Sequence, residues 1–436
     1  MQPLALKLKS LRLGDIAVRR NPLFYAWARR QLAAPDPMQL QRMLWNARRT
    51  AYGRRVRGGG DLASWPLLDK ETVREAPQDF LAGPQLLVAR ASTGGTSGAP
   101  LPLARSLRSV VLEQAAIDRM MELLGARPGE ARIAQLRGDN VKDPSDFRPP
   151  YWKTVAGGRR MLLSSNHLNA ATIGAYAQAL ESFAPDILWA YPTSLESLCV
   201  QLERAGIRLQ VARVLTSSEV LHPSVWRLAE RTLGCRLVDY YGQAERVAFA
   251  WASAPGEYRF LPGYAHVELV ESGADGPNRR YEIVGTSLWN HAMPLVRYRT
   301  GDLIRLPASY TEAQVREVAE GRRPFCGVLG RDSDILVSPD GVRLTGIDHF
   351  QRDVAHLRRI QVIQESATEV RVLVLGTPQF GDEDAARLLA NIRKKLPASM
   401  KVDIECVEAL ERTGTAKTPF VIHRPAVKKL LRAAVS

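Results

Sequence analysis

The sequence predicts an α/β protein: a large N-terminal domain with mainly parallel sheets over residues 1–330, then a small α+β domain over residues 331–436. Three observations carry this expectation. The chain has 436 residues, more than one compact core comfortably organises. Between residues 86 and 240, apolar strand-like runs alternate with helical patterns. Near residue 330 that alternation gives way to a hairpin signal followed by short strands and one long helix.

Taken in order, Leu86–Ala91 reads as a strand running into a glycine-rich turn, and Leu107–Leu124 as a helix. A helix follows at 169–183, a strand at 186–190 and a helix at 193–205. Val211–Thr216, Pro223–Leu233 and Arg236–Tyr240 then make a strand–helix–strand unit, the signature of parallel pairing. Asp334–Val337 and Val342–Thr345, joined by Ser-Pro-Asp-Gly, read as a hairpin. A helix is expected near 347–357, strands at 360–365 and 369–375, a helix at 382–396 and a strand at 401–407. The domain boundary is placed at Gly330–Ser333.

Composition excludes several classes. Hydrophobic residues make up 45% and charged residues 24%, as in ordinary globular proteins. No apolar run is long enough to span a membrane, and the N-terminus lacks the pattern of a secretory signal. The four cysteines (Cys199, Cys235, Cys326, Cys406) show neither paired metal-ligand spacing nor a disulfide framework, so no zinc is expected and the cytoplasm is the expected compartment. The net charge is +15, and residues 1–60 hold thirteen Lys/Arg against Asp15 and Asp36. That basic segment suits an anionic surface or a solvated face, while its leucines, Phe24 and Trp27 suit packing. No reading helix, zinc finger or aromatic-interleaved sheet points to nucleic acid.

Five motifs carry chemistry. Ser92-Thr93-Gly94-Gly95-Thr96-Ser97-Gly98 follows a strand. Its glycines free backbone N–H groups for an anion and its hydroxyls add donors, although no Gly-Lys-Ser/Thr closes it as a Walker loop. Asp239-Tyr240-Tyr241-Gly242-Gln243-Ala244-Glu245 ends a strand, where open α/β sheets place ligands, and a carboxylate there suits a phosphate-bound Mg²⁺. Pro294-Leu295-Val296-Arg297-Tyr298-Arg299-Thr300-Gly301-Asp302-Leu303 offers a carboxylate just past a strand, able to accept both hydroxyls of a ribose. Gly330-Arg331-Asp332-Ser333-Asp334 opens the second domain, and Arg412-Thr413-Gly414-Thr415-Ala416-Lys417 is a Gly-containing loop near the C-terminus.

In this order and spacing the five resemble the acyl-adenylating superfamily of acyl-CoA synthetases, luciferases and peptide-synthetase adenylation domains, over residues 60 to 425. The phenylacetate-CoA ligase branch fits best, through the Pro294–Leu303 phrase and through Trp65-Pro66-Leu67-Leu68-Asp69-Lys70. The segment 131–165, with Arg137-Gly138-Asp139-Asn140 and Tyr151-Trp152-Lys153, is closer to CapK-like relatives.

The resemblance implies roles. Ser92 through Gly98 would hold the ATP phosphates, and Ser217-Ser218-Glu219 would form the adenine turn. Tyr241 would pack near adenine, Glu245 would bind Mg²⁺, and Asp302 and Arg331 would meet the ribose. Lys417 would reach the α-phosphate and the reacting carboxylate, where negative charge builds up. Tyr191 and Pro192 would begin the helix beside the acid pocket, with Trp189 and Tyr240 as neighbours. Ser333 stands at a hinge position that usually holds Asp or Lys in this family.

The implied substrates are ATP and a carboxylic acid. Gly341-Val342-Arg343 favours CoA as acceptor, with an amine as the alternative. A nucleotide-binding module docked through its basic N-terminus is the rival from another class. Monomer and homodimer both stay open.

Overall fold

The computed structural model describes residues 22–83, 88–92, 101–139, 141–143, 146–275, 277–329, 336–340, 343–344, 347–351, 354–408, 410–411 and 420–427. Two helices, α1 (Pro22–Ala33) and α2 (Gln39–Ala47), precede the first sheet. The basic segment is partly built into the fold: Ala28 and Leu32 are buried, and Arg29 pairs with Glu122 at 2.8 Å.

The main sheet has eight strands: β3 (Ile133–Leu136), β4 (Trp152–Val155), β5 (Arg160–Leu163), β6 (Ile187–Ala190), β7 (Arg213–Ser217), β8 (Arg236–Gly242), β9 (Phe249–Ala252) and β10 (Arg259–Phe260). Their spatial order is β10-β9-β8-β7-β6-β3-β5-β4. The five from β5 to β8 are mutually parallel, and the antiparallel β4, β9 and β10 close the flanks. Before them, β1 (Val88–Ser92) and β2 (Pro102–Ser106) form an antiparallel pair.

Strands such as Ile187-Leu188-Trp189-Ala190 are apolar at every position because both faces are covered. Alternate residues feed two cores. Leu188, Val214 and Leu237 pack with helices α6 (Ile173–Phe183), α7 (Pro192–Ala205) and α8 (Pro223–Leu233). Ile187, Trp189, Leu215, Val238 and Tyr240 pack with α1 and α5 (Leu107–Leu123). Two short helices precede α5: α3 (Ala51–Arg55) and α4 (Lys70–Glu75).

A separate antiparallel sheet, β11 (Ala265–Asp275), β12 (Asn278–Ser287) and β13 (Tyr298–Pro307), carries the Tyr298–Leu303 part of the third motif. Asp302 therefore lies inside a strand, not just past one as the sequence reading has it. Glu282 pairs with Leu303 and Val284 with Arg299, so three residues of β13 face a single residue of β12. That bulge turns Thr300-Gly301-Asp302 out of the ladder, and Gly301 takes φ +75° within it.

Helix α9 (Glu312–Ala319) precedes the C-terminal region. There β14 (Leu336–Val337) and β15 (Arg343–Leu344) pair as the expected hairpin. A second sheet, β16 (Leu357–Gln364), β17 (Glu369–Gly376), β18 (Lys401–Cys406) and β19 (Val421–His423), has the order β18-β17-β16-β19 and packs on α10 (Asp382–Arg393). The helix expected near 347–357 is corrected: Ile347–Gln351 is a 3₁₀ turn and β16 already begins at Leu357. Only Ile347 and Phe350 of that turn are buried apolar residues, and the spacing i, i+3 suits three residues per turn.

Candidate active site

Strand β8 organises the site. Successive side chains alternate between its faces, so Asp239 and Tyr241 face one way and Tyr240 the other.

On the first face, the Tyr241 hydroxyl donates to Asp302 Oδ2 at 2.7 Å and accepts from Gln243 Nε2 at 3.1 Å. The bulge in β13 is what presents Asp302 to Tyr241. Burial, followed by the adjacent Asp302, pushes the Tyr241 phenol well above its ordinary value, so it stays a donor. Glu245 is buried in the loop after β8, and its Oε1 accepts from the Tyr298 hydroxyl at 2.8 Å. The loop is held by Arg105, which donates through Nη2 to the Ala244 carbonyl at 2.6 Å. Desolvation, with Arg246 second, lowers the Arg105 guanidinium to about 10, and it remains charged at neutral pH. Below Tyr241, the buried Asp239 accepts from Thr216 Oγ1 at 2.5 Å and from the Tyr258 hydroxyl at 2.6 Å.

The Trp65–Lys70 segment ties this face together. Leu68 N donates to the Arg297 carbonyl and Arg299 N to the Leu68 carbonyl, both at 2.9 Å. Arg297 makes a two-pronged pair with Glu268 and also reaches the Trp65 carbonyl, so it is a structural member of the third motif. Arg299 is likewise held by Glu282.

The opposite face is aromatic. Tyr240 stacks on Phe249 with centroids 5.1 Å apart and lies 6.4 Å from Trp189. Burial raises the Tyr240 phenol to about 12, so it too stays protonated. Pro192, at the first turn of α7, is buried, and Tyr191 is half-buried beside it. Ser217 ends β7 buried opposite Tyr240 in register, and Ser218 takes φ +74°, a left-handed conformation uncommon for serine. Glu219 follows, half-buried.

The structure thus brings Tyr241, Glu245 and Asp302 to one face of β8 and Trp189 and Tyr240 to the other, with Tyr191 nearby and the Ser217–Glu219 turn at the rim. Ser92 ends β1 opposite Pro102, exposed. Thr93, Gly94, Gly95, Thr96, Ser97, Gly98, Arg331, Ser333 and Lys417 lie outside the described residues. Sequence reasoning assigned no role to Tyr298, Gln243, Arg105 or Arg137. Tyr298 and Gln243 lie within quoted motifs and Arg137 within the quoted 137–140 segment, but their partners are set by tertiary pairing.

Residues 336–424 match the family described as the CapK C-terminal domain. The chain is 19% identical to protein CapK of Staphylococcus aureus over 371 residues, covering 82% of this chain and 79% of that one. It is 23% identical to a phenylacetate-coenzyme A ligase of Pseudomonas putida, covering 81% of this chain and 82% of that one. Among solved structures, a 2-hydroxyisobutyryl-CoA ligase in complex with 2-HIB-AMP and CoA in the thioesterification state superposes with a TM-score of 0.51 at 16% identity. That match covers 96% of this chain and 92% of that one, which establishes a shared fold.

Proposed function

We propose that this chain, which carries a CapK C-terminal domain and is related along most of its length to CapK and the phenylacetate-CoA ligases, activates a carboxylic acid with ATP and passes the acyl group to CoA. The single observation that carries this reading is the Tyr241–Asp302 pair beside the buried Glu245 at the carboxyl edge of a parallel sheet.

In the first step a carboxylate oxygen attacks the α-phosphorus of ATP. The bond to the bridging oxygen breaks, and pyrophosphate leaves with the electron pair. Asp302, aimed by Tyr241, accepts the ribose hydroxyls and so fixes the α-phosphate relative to the acid. In the second step the CoA thiol loses its proton, sulfur attacks the acyl carbon, and AMP departs as the C–O bond breaks. Neither step needs a covalent link to the protein.

Magnesium fits the donors present. Among the described residues no group of three or more His, Cys, Asp or Glu could hold a metal unaided. Glu245 supplies one hard, anionic oxygen site, as suits an ion that arrives on nucleotide phosphates. Glu245 would hold it, and the ion would neutralise charge developing on the transferred phosphoryl group.

Lys417 is assigned to the α-phosphate, and Ser92 to Gly98 to the departing pyrophosphate. The boundary at 330/331, with a swing about Arg331–Ser333 between the two steps, belongs to the same proposal.

Exchange of labelled pyrophosphate into ATP, dependent on an added acid, tests the reading. Lys417→Ala is expected to lower the exchange rate by about 10²–10³ while ATP still binds, the scale of losing one donor to developing charge. Wild-type exchange by that variant overturns the role of the C-terminal loop. CoA-dependent thioester formation, followed by mass spectrometry against an amine control, identifies the acceptor.

A further inference from the structure

The aromatic face of β8 holds a cation that the proposed chemistry does not use. Arg137 directly follows β3, at the same carboxyl edge of the sheet. Its guanidinium lies 4.3 Å from the centre of the Trp189 ring and 5.3 Å from that of Tyr191. Its Nη2 has only a long contact, 3.5 Å, to the Ser218 hydroxyl, and its buried Nε has no hydrogen-bond partner. Among the described residues no carboxylate pairs with it. Most other arginines around the site are engaged: Arg105 by a carbonyl, Arg297 by Glu268 and Arg299 by Glu282.

A second positive charge reaches the adjoining residue. Lys395, almost fully buried at the end of α10, donates through Nζ to the Gly138 carbonyl at 2.9 Å. Asn166 donates to the Lys394 carbonyl at 2.9 Å and pins the same chain segment. A Cβ on Gly138 would come within 3.4 Å of Lys395 Nζ and 3.6 Å of the Tyr191 ring, so the ammonium approaches the same tyrosine ring that the Arg137 guanidinium covers.

Position decides what this cation serves. The ribose carboxylate and Glu245 lie on the Tyr241 side of β8, whereas Arg137 acts electrostatically on Tyr240, on the opposite side. A guanidinium with unused donors, wedged against two aromatic rings, is a fork preshaped for a planar oxyanion.

Building on the acid-activating reading, we infer that Arg137 is the specificity residue of the acid pocket, and that the activated acid carries a second carboxylate seated on the unused donors of its guanidinium, beside Trp189 and Tyr191. The substrate class is thus a dicarboxylic acid, one carboxyl reacting and the other anchored. The aromatic walls hold the skeleton between the two groups. Leaving the guanidinium without its anion disfavours the plain monocarboxylic analogue, because a buried donor then goes unpaired.

The test compares acids that share a skeleton and differ only in the distal group: 4-carboxyphenylacetate with phenylacetate, and adipate with hexanoate. Full-length protein with MgATP is assayed by pyrophosphate exchange. The expected result is a kcat/KM for the diacid at least about tenfold above its monoacid partner. Arg137→Met is expected to reduce that ratio by about tenfold to a hundredfold, the scale of one charge-assisted hydrogen bond. Arg137→Gln, which keeps a planar polar group without the charge, is expected to reduce it similarly and guards against a folding defect in the first variant.

Three results overturn the inference while leaving acid activation intact. One is a wild-type preference for monoacids, and another is an unchanged ratio in both variants. The third is an equal loss for both acids traced to the KM for ATP, which would assign Arg137 to the nucleotide. Absence of exchange with every acid would overturn the parent reading, and this one with it.

Discussion

The two faces of β8 are built from neighbouring residues yet follow opposite chemistry. The Asp239/Tyr241 face is a run of carboxylates, each answered by a hydroxyl: Asp239 by Thr216 and Tyr258, Asp302 by Tyr241, Glu245 by Tyr298. The Tyr240 face is built mainly of aromatic rings with the Arg137 cation; the nearby Glu113 is held by the Tyr264 hydroxyl and by Arg246, and among the described residues no carboxylate pairs with Arg137. One strand can separate the two because its side chains alternate by 180°. Hydroxyl-held carboxylates suit ribose and a metal-bound phosphate, whereas a cation against rings suits an organic anion. Under the proposed function, a single peptide link, Tyr240–Tyr241, would divide the nucleotide side from the acid side.

The sharpest way to break that division is on the carboxylate face. Glu245→Gln keeps shape and the Tyr298 hydrogen bond but loses the charge that would hold magnesium. Exchange is expected to fall by about 10²–10³, the cost scale of one electrostatic contact to the transition state. The Mg²⁺ midpoint should rise with it. An unchanged rate and midpoint would show that Glu245 serves only the fold.

How much of this arrangement can be read from the chain alone depends on the range of the interactions involved. Helix α8 runs over Pro223–Leu233 in both sequence and structure, because Pro223 opens it and Gly234, at φ +63°, closes it. Of the five parallel strands, β6, β7 and β8 were legible from their mainly apolar runs, whereas β3 and β5, only four residues each, were not read from the sequence. The site itself was legible only as motifs. Thr300-Gly301-Asp302 looks like a turn; it becomes a bulge because Glu282, far back in the chain, accepts the Gly301 N–H at 3.2 Å. Tyr298 and Glu245 are separated by 53 residues, and no local pattern announces their bond. Arg137 was visible as a departure from the resembled family, but its stacking on Trp189 depends on the order of strands in the sheet.

A second test concerns the burial that crowds carboxylates onto one face. Desolvation raises Asp239 to about 6, against the hydrogen bonds from Thr216 and Tyr258 that favour its charge. In the unfolded chain the group ionises near its ordinary value, about 4. Between these values the folded state holds a proton that the unfolded state has released. This residue's contribution is therefore most favourable at low pH, declines as pH rises through that window, and levels off above about 7. The full swing is about 3 kcal/mol. Asp239→Asn removes the titration, so the variant should gain on wild type by that amount between pH 4 and pH 7 in chemical denaturation. Parallel stability curves would mean that Asp239 titrates as an exposed acid does.

The smallest expected effect tests the division at its narrowest point. Tyr241→Phe deletes the hydroxyl that aims Asp302, leaving that half-buried carboxylate one donor short. A hydrogen bond of this kind contributes about 1 kcal/mol net, so the KM for ATP should rise roughly fivefold. Tyr240→Phe deletes a hydroxyl beside Ser217 on the other face, and its effect should fall on the KM for the acid. Both changes remove one oxygen from neighbouring residues of the same strand, so general damage to β8 would move both constants together in both variants. The two-face arrangement requires a crossed pattern instead, each variant disturbing one substrate. Steady-state kinetics with each substrate varied at saturation of the other reads the pattern directly, and a shift of the same KM by both variants would mean that β8 does not separate the two substrates.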